Sequence, residues 1–326
     1  MSARQAVPNT SHSVTQDRAC PLCASNRVAE LDKIPVQDLC AEFLRQLKFS
    51  ISNEFPANLQ ELYLSRCEVC GLQFFWPLIT GTPEFYARLS TKLGAYYNPL
   101  RWEFQRAHDL LPKGSTILDV GCGDGEFISR FPPGKAVGIE FNPSAIKKAR
   151  AKGLDVSNSS LEALPDSSFD AVTVFQVMEH VSHPVGLLRQ ACRVLRSGGE
   201  LLIAVPDNDG FMGRIIQEPL NAPPHHVLRW RAQPLEYLPN LLPLRLERLE
   251  REPLSDQHLL AYRRTLLTEL MGKVRGHPFP LFRLSRMTIA ARRLANLITR
   301  ISLLALPRLK PSSPEGHSIF GAFRKL

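Results

Sequence analysis

Residues 117–127 read ILDVGCGDGEF, a short apolar run followed by three glycines spaced two positions apart. The apolar run predicts a strand. Gly121, Gly123 and Gly125 predict a tight turn whose backbone can approach a ligand at the end of that strand. We expect a helix from Glu126 onward. A dinucleotide-binding turn of the form G-x-G-x-x-G needs a third glycine at position 126, so the glutamate there disfavours that ligand class.

The acids around this turn also indicate what kind of ligand it holds. Asp124 and Glu126, at the expected helix start, would repel a pyrophosphate and suit a ligand that is cationic or lacks phosphate. Glu140 ends the next apolar run, VGIE, about 19 residues after Gly121. A carboxylate at that strand end can accept hydrogen bonds from both ribose hydroxyls. Phe141 beside it can lie against an adenine ring.

Strand and helix patterns alternate downstream of Ser115, which predicts a parallel, doubly wound sheet. One helix is bounded by Asn142 as N-cap, by Pro143 at its first position and by Gly153 after its end. The runs at 244–252 and 318–325 alternate between apolar and polar residues and predict strands with one solvated face. The other predicted strands are 116–120, 135–140, 169–175 and 200–205, and the predicted helices include 143–152 and 184–196.

Four segments within residues 115–206 resemble, in the same order, class I S-adenosylmethionine (SAM) methyltransferases. They read ILDVGCGDGEF, VGIEFNPSAI, LPDSSFDAVTVFQVMEHVSHP and LRSGGELLIAVP. The resemblance implies an α/β fold with a doubly wound, seven-stranded Rossmann-like methyltransferase sheet, an antiparallel last hairpin and SAM as the methyl donor. SAM is a sulfonium without phosphate, which agrees with the acidic turn.

The same resemblance implies which residues contact SAM. The family often has an aspartate near the adenine, whereas this chain has SNSSLEALP at 157–165. By resemblance, Asp119, Gly121, Gly123 and Gly125 line the methionine side, Glu140 binds the ribose diol, Ser160 and Leu161 lie near adenine, and Gln176 lies by the methionine moiety.

Two C-x-x-C pairs precede this region, Cys20 with Cys23 and Cys67 with Cys70. Two such pairs can surround one tetrahedral Zn²⁺, and no open coordination position is evident, so we expect a structural zinc. Four unliganded thiols are the alternative. The spacing between the pairs exceeds that of a compact zinc ribbon, and residues 37–49 predict a helix inserted there. The chain starts without the apolar segment of a secretory signal, which favours a reducing compartment.

A zinc module followed by YLSRCEVCGLQFFWP (63–77) and a SAM domain resembles bacterial methyltransferases of sugar and cell-surface polysaccharide biosynthesis. That resemblance implies a sugar, a glycan or another small molecule as the methyl acceptor, with a lipid-linked acceptor included. An RNA methyltransferase is the alternative enzyme. A catalytically silent SAM-fold scaffold is the alternative from a different class.

Two segments offer imidazole groups for catalysis. Methyl transfer depends on aligning the acceptor atom with the methyl group, and a hydroxyl acceptor also benefits from a general base. His226 and His225 lie at the end of a long loop, 207–224, and are the first candidates for a base or a substrate clamp. His180 follows a predicted strand, and Glu179 can orient it. A purely structural role for these histidines is the alternative.

The basic character of the chain is local. The formal net charge is +9, and residues 256–316 hold 11 Lys and Arg against 3 Asp and Glu. Residues 284–305 fit an amphipathic helix that could contact an anionic membrane, bind RNA phosphates or cap the site. Nucleic acid is disfavoured because no aromatic residues interleave with the arginines. The apolar face comprises Leu284, Met287, Ala291, Leu294, Ile298 and Ile301, with Arg292, Arg293 and Arg300 on or beside the other face.

No uncharged apolar stretch reaches the ~18 residues of a spanning helix, so we expect a cytoplasmic protein, peripheral at the inner face of the membrane if residues 284–305 bind lipid. The patterns indicate no oligomeric state. The predicted organisation is a disordered tail (1–18), a zinc-binding module (19–80), a helical connector (81–112), a SAM-binding core (113–255), a basic helical insertion (256–316) and a final core strand (317–326).

Overall fold

A computed structural model of the chain describes residues 18–94, 101–305 and 316–326. The predicted tail, apart from Arg18, lies outside these residues. The described strands and helices are β1 Val28–Pro35, α1 Val36–Leu47, β2 Glu61–Cys67, β3 Gln73–Trp76, α2 Pro83–Lys92, α3 Trp102–Leu110, β4 Ile117–Val120, β5 Ala136–Ile139, α4 Pro143–Ala151, β6 Val156–Ser157, β7 Phe169–Phe175, α5 Pro184–Val194, β8 Leu195–Pro206, β9 Leu228–Arg229, α6 Ala232–Tyr237, β10 Leu244–Arg251, α7 Asp256–Arg275, α8 Arg286–Ala305 and β11 Ser318–Lys325.

The larger sheet has seven strands in the order β10-β11-β8-β7-β4-β5-β6. Strands β8, β7, β4, β5 and β6 pair in parallel with one another, in that order. Strand β11 pairs antiparallel with both β8 and β10. The predicted doubly wound sheet and its antiparallel last hairpin are therefore confirmed.

Alternate residues of the central strands pack into two separate hydrophobic cores, one on each face of this sheet. Leu118, Val172 and Ile203 belong to one core, and Ile117 and Ala171 belong to the other. A strand buried on both faces needs apolar residues at consecutive positions, which explains the continuous apolar runs in the sequence.

The chain order along the sheet reverses at β4, which has β5 on one side and β7 on the other. Ligands of open α/β sheets bind beyond the carboxyl ends of the strands at such a reversal. The glycine turn that follows β4 and the segment that follows β7 therefore meet at one edge of the sheet.

A second sheet has the order β1-β2-β3-β9. Its first three strands come from the N-terminal region, whereas β9 lies after β8 in the chain and pairs with β3 through Gln73 opposite Arg229. The N-terminal region is thus joined to the region after β8 through a shared sheet. The predicted helix at 37–49 corresponds to α1, Val36–Leu47.

Helix α8 packs through its small residues and exposes its bulky ones. Thr288, Ala291, Ala295 and Thr299 are buried. Of the predicted apolar face residues that lie within α8, only Ala291 is therefore buried. The larger ones are exposed. None of the helices within the described ranges is long and apolar enough to cross a membrane. The exposed fractions on α8 are 53% for Met287, 48% for Leu294, 40% for Ile298 and 57% for Ile301.

The expectation that Arg292 lies on a solvated face was wrong. Its side chain is 12% exposed, and Nη1 lies 2.9 Å from Oε1 of the buried Glu42 on α1. A buried carboxylate needs a charged or hydrogen-bonding partner, and Arg292 supplies one across the helix interface. Arg293 and Arg300 are exposed, as expected.

Candidate active site

The glycine turn after β4 has a left-handed backbone at all three glycines, with φ of +75° at Gly121, +58° at Gly123 and +85° at Gly125. L-residues with side chains rarely adopt such angles. A Cβ at Gly121 would also lie 2.3 Å from Cγ2 of Val177, which follows β7. The absence of side chains therefore lets the turn approach the neighbouring segment and leaves its backbone open toward the sheet edge.

The helix expected from Glu126 is absent. A single 3₁₀ turn, Ile128–Arg130, follows the glycines, and Pro132 and Pro133 come directly after Phe131. A proline disfavours the α conformation of the residue before it, so a helix cannot continue past Phe131. The acids of the turn are also partly neutralised, because Nζ of Lys152 lies 2.5 Å from Oε1 of Glu126 and 3.5 Å from Oδ2 of Asp124.

Glu140 ties the end of β5 to the glycine turn. Its Oε2 accepts a hydrogen bond of 2.9 Å from the backbone N–H of Gly123. Its Oε1 accepts from the backbone N–H groups of Phe141 at 2.8 Å and Asn142 at 2.7 Å. The carboxylate is therefore held in a fixed position at the strand end.

A cavity of about 510 Å³ opens at this edge of the sheet. One wall is formed by Asp119, Gly121, Gly123 and Gln176. Asp119 is buried and accepts a hydrogen bond of 2.7 Å from the Thr173 hydroxyl. Burial is the largest cause that raises the pKa of Asp119, to about 7.

Four of the predicted catalytic residues line the same cavity, Glu179, His180, His225 and His226. Glu179 and His180 end a 3₁₀ turn, Met178–His180, that follows β7. The ring centroids of His225 and His226 lie 4.4 Å apart. The ring centroid of His180 lies 4.6 Å from that of His225 and 4.8 Å from that of His226. Residues 45 positions apart in sequence are thus brought into one cluster, which we call the His/Glu cluster.

Burial controls the ionisation of this cluster. It raises the pKa of Glu179 to about 8 and lowers the pKa of His180 to about 4. It also lowers the pKa values of His225 and His226 well below their usual range. Desolvation penalises charge in each case, so the three imidazoles are held in the neutral form.

The family described as a methyltransferase domain matches residues 95–272, which is more than half of the chain. This chain belongs to the methyltransferase-domain family. The matched residues contain the glycine turn, Glu140 and the His/Glu cluster. The resemblance to class I SAM methyltransferases is therefore confirmed, and most of the residues that line the cavity lie within the matched region.

Curated relatives match only part of this methyltransferase chain. A ubiquinone biosynthesis O-methyltransferase of Xanthomonas axonopodis is 34% identical over 119 residues, covering 33% of this chain and 49% of that protein. An uncharacterized protein of Methanocaldococcus jannaschii is 32% identical over 110 residues, covering 33% of this chain and 52% of that protein. The chain thus spans about half the length of these relatives.

Solved structures include a SAM-dependent methyltransferase from Thermotoga maritima. It is 17% identical to this methyltransferase chain, with a TM-score of 0.48, and the match covers 75% of this chain and 100% of that one.

The four predicted metal ligands converge outside the methyltransferase cavity. The sulfur atoms of Cys20 and Cys70 lie 3.5 Å apart, as do those of Cys23 and Cys67, and all four lie within 4.8 Å of one another. Around a tetrahedral Zn²⁺ with ~2.3 Å bonds the sulfurs lie roughly 3.8 Å apart. The donor set and its spacing therefore fit zinc. Three of the thiols also belong to the hydrophobic core of the main sheet.

Several residues expected to contact SAM do not line the methyltransferase cavity. Phe141 is 67% exposed, while Leu161 is buried in the core of the main sheet. Ser160 precedes the 3₁₀ turn Leu161–Ala163. A Cβ at Gly125 would lie 2.4 Å from Cδ1 of Leu154, so Gly125 serves close packing. Glu140 is likewise not among the residues that line the cavity, although it is bonded to Gly123, which does line it. The cavity contacts of these five residues stay predictions.

Sequence reasoning missed Glu103, which holds Gln176 in the cavity wall. Nε2 of Gln176 donates to Oε1 of Glu103 at 3.0 Å and to the Ser318 hydroxyl at 3.1 Å. Gln176 has a φ of +54°, an unusual value for a residue with a side chain, and these bonds stabilise it. Glu103 is only 2% exposed. The sequence signal was an acid between the aromatic residues Trp102 and Phe104.

Proposed function

We propose that this chain transfers a methyl group from SAM to a hydroxyl group of a sugar, a glycan or another small-molecule acceptor that is carried on a lipid. One observation carries the proposal. A single cavity is lined both by Asp119, Gly121 and Gly123 and by Glu179 and His226. Methyl donor and acceptor must meet in line, and this cavity brings together the residues expected for each.

The donor wall fits SAM. SAM supplies an activated methyl group on a sulfonium. The open backbone at Gly121 and Gly123 gives the methionine portion a surface without side chains, and the buried carboxyl of Asp119 lies beside it. Glu140, fixed by three backbone N–H groups, would accept the ribose hydroxyls. No helix N-terminus faces this turn among the described residues, so the free N–H groups that would favour a phosphate are not present there.

The acceptor wall combines apolar side chains with the His/Glu cluster. Phe211, Met212 and Ile215, all from the long loop after β8, line the cavity and make part of its surface apolar. Neutral imidazoles can accept a hydrogen bond from an acceptor hydroxyl. In that position they orient the oxygen lone pair and take up its proton as the carbon–oxygen bond forms. One or a few polar groups on an apolar wall are typical of small-molecule sites.

Two features support a lipid-carried acceptor. Relatives named ubiquinone biosynthesis O-methyltransferase match about a third of this chain, and that name describes O-methylation in the biosynthesis of ubiquinone. Helix α8 presents Met287, Leu294, Ile298 and Ile301 outward, with Arg293 and Arg300 exposed among them. Bulky apolar side chains with arginines favour an anionic bilayer surface. We therefore place the chain at the inner face of the cytoplasmic membrane.

The test is methyl transfer from methyl-labelled SAM into a lysate of source cells that lack this protein. The products are then divided into lipid, RNA and small polar fractions. Label in the organic-solvent fraction supports the lipid-carried acceptor. Label found only in small polar molecules supports the methyltransferase activity and contradicts the lipid-carried acceptor. Label in nuclease-sensitive material overturns the small-molecule acceptor, and no label in any fraction with the wild-type protein contradicts the activity.

We also propose that Cys20, Cys23, Cys67 and Cys70 hold one structural Zn²⁺. The zinc would fix the loops before β1 and between β2 and β3 against the core of the main sheet. All four positions of a tetrahedral ion are then filled by protein sulfur, which leaves no site for a substrate.

A further inference from the structure

We propose that His180, His225 and His226, with Glu179 beside them, form a site for a divalent transition-metal ion in the cavity. This inference deepens the proposed function and rests on it for the role of the ion. The three histidines offer ligand nitrogens that lie within 4.8 Å of one another. They are separate in sequence and structure from the four-cysteine cluster.

Hydrogen bonds prepare the Nε2 atoms of the histidines as ligands. Nδ1 of His180 lies 2.6 Å from the carbonyl oxygen of His225, and Nδ1 of His225 lies 2.8 Å from that of Leu220. Nδ1 of His226 lies 3.3 Å from Oδ1 of Asn221. Only a protonated Nδ1 can donate to these oxygens, so each neutral ring carries its lone pair on Nε2. This arrangement is typical of histidines that bind a metal through Nε2.

The amide of Asn221 is itself oriented for this task. Its Nδ2 donates to Oδ1 of Asn208 at 2.9 Å and to the carbonyl oxygen of Met212 at 3.1 Å. These two bonds turn Oδ1 toward His226. The orientation of the His226 ring is thus supported by a second layer of fixed partners.

Glu179 lacks the partners that a buried carboxyl needs. Its Oε1 lies 3.7 Å from Nε2 of His180 and 3.9 Å from Nε2 of His226, too far for hydrogen bonds. None of the described residues hydrogen-bonds its Oε2, although Glu179 is only 2% exposed. A buried oxygen without a partner destabilises the fold. A cation held by the histidines would place a positive charge beside this carboxyl group.

The donor set selects the class of ion. Three imidazole nitrogens suit Zn²⁺, Fe²⁺ or a similar divalent ion rather than Mg²⁺ or Ca²⁺. Ligands of one such ion lie roughly 3–4 Å apart, so the cluster must close by about 1 Å around it. In the metal-bound state the imidazoles would serve as ligands rather than as bases. The ion would hold the acceptor oxygen and lower the pKa of its hydroxyl, and the carboxylate of Glu179 beside the cluster would take up the proton.

Cobalt(II) is the probe, added to full-length protein that already contains zinc. The expected result is one equivalent of Co²⁺ bound per chain, with visible d–d bands and without a thiolate charge-transfer band. His226→Ala and, separately, His225→Gln should weaken Co²⁺ binding at least tenfold. His183→Ala is the matched control, because His183 is an exposed histidine three residues from His180 and should leave binding unchanged.

SAM affinity, measured by calorimetry on the same samples, separates this inference from the proposed function. Unchanged SAM binding with Co²⁺ binding lost in the cluster variants supports the metal site. Wild-type protein that binds SAM but takes up no Co²⁺ beyond the thiolate site overturns it and leaves the methyltransferase proposal standing. Equal Co²⁺ binding by wild type and both folded cluster variants also overturns it. Absence of SAM binding by the wild type is the separate failure of the proposed function.

Discussion

The carboxylate of Glu140 accepts a 2.9 Å hydrogen bond from the backbone N–H of Gly123, joining the end of β5 to the turn after β4. The two residues lie 17 positions apart in sequence and at adjacent strand ends in the sheet. One side chain therefore shapes the glycine turn, and we propose that the same side chain binds the ribose of SAM. A residue with both roles should be sensitive to substitution.

Glu140→Ala should raise the Kd for SAM at least tenfold, a loss of about 1.4 kcal/mol or more. The cause is loss of the ribose partner together with the bond that holds Gly123. Isothermal titration calorimetry measures the effect, with circular dichroism to confirm folding. Glu84→Ala is the matched control, since that acid is exposed on α2 and does not line the cavity, and its Kd should change by less than about threefold. Equal affinities for wild type and Glu140→Ala contradict the assigned role.

Gly121→Ala should unfold more readily than Gly134→Ala. Both glycines have positive φ, +75° and +77°, but a Cβ meets Val177 at 2.3 Å in the first case and nothing within 4 Å in the second. The shared backbone strain costs about 1 kcal/mol, and the contact should add about 1–3 kcal/mol. Denaturant titration measures both, and adding Val177→Ala to Gly121→Ala should recover most of the difference. Equal destabilisation by the two single substitutions would show that the contact with Val177 is not limiting.

Cys67→Ser should release zinc and lower the melting temperature. Purified without chelator, the wild type should hold about one zinc per chain, and the variant much less. The thermal midpoint should fall by at least about 5 °C, because the thiols share the core of the main sheet. Cys40→Ser, which removes an isolated cysteine, should change neither zinc content nor midpoint appreciably. Wild-type protein that is folded and free of metal would contradict the zinc proposal.

Helix α8 should bind anionic lipid vesicles through its exposed apolar side chains. The double substitution Leu294→Asp with Ile298→Asp should reduce vesicle sedimentation of the chain at least fivefold, since it removes apolar contact and adds repelling charge. Leu44→Asp is the control, because Leu44 is 56% exposed on α1. Identical sedimentation of all three proteins, or no sedimentation of the wild type, would rule out this membrane surface.

The sheet could be predicted because its central strands are buried on both faces. Val172 and Val174 on β7 and Leu201 and Ile203 on β8 belong to continuous apolar runs that report their burial directly. The helix expected at Glu126 failed although its signal was present, since Pro132 and Pro133 leave room for one turn only.

Other parts of the site depend on contacts that no local pattern encodes. His180 and His225 meet through a hydrogen bond between residues 45 positions apart, and the sequence marked each only as a separate candidate. The ion pair of Arg292 with Glu42 spans 250 positions, so helical periodicity alone placed Arg292 with the solvated arginines. Strand β9 has only two residues, too few for a periodic signal.

The measurement that tests the central claim most directly is a crystal structure of the chain with S-adenosylhomocysteine. The account predicts the ligand in the 510 Å³ cavity, with its ribose on Glu140 and its sulfur facing the His/Glu cluster. The sulfur position shows where the methyl group would point. A ligand bound outside this cavity, or one whose sulfur faces away from Glu179 and His226, would contradict the claim that donor and acceptor share this site.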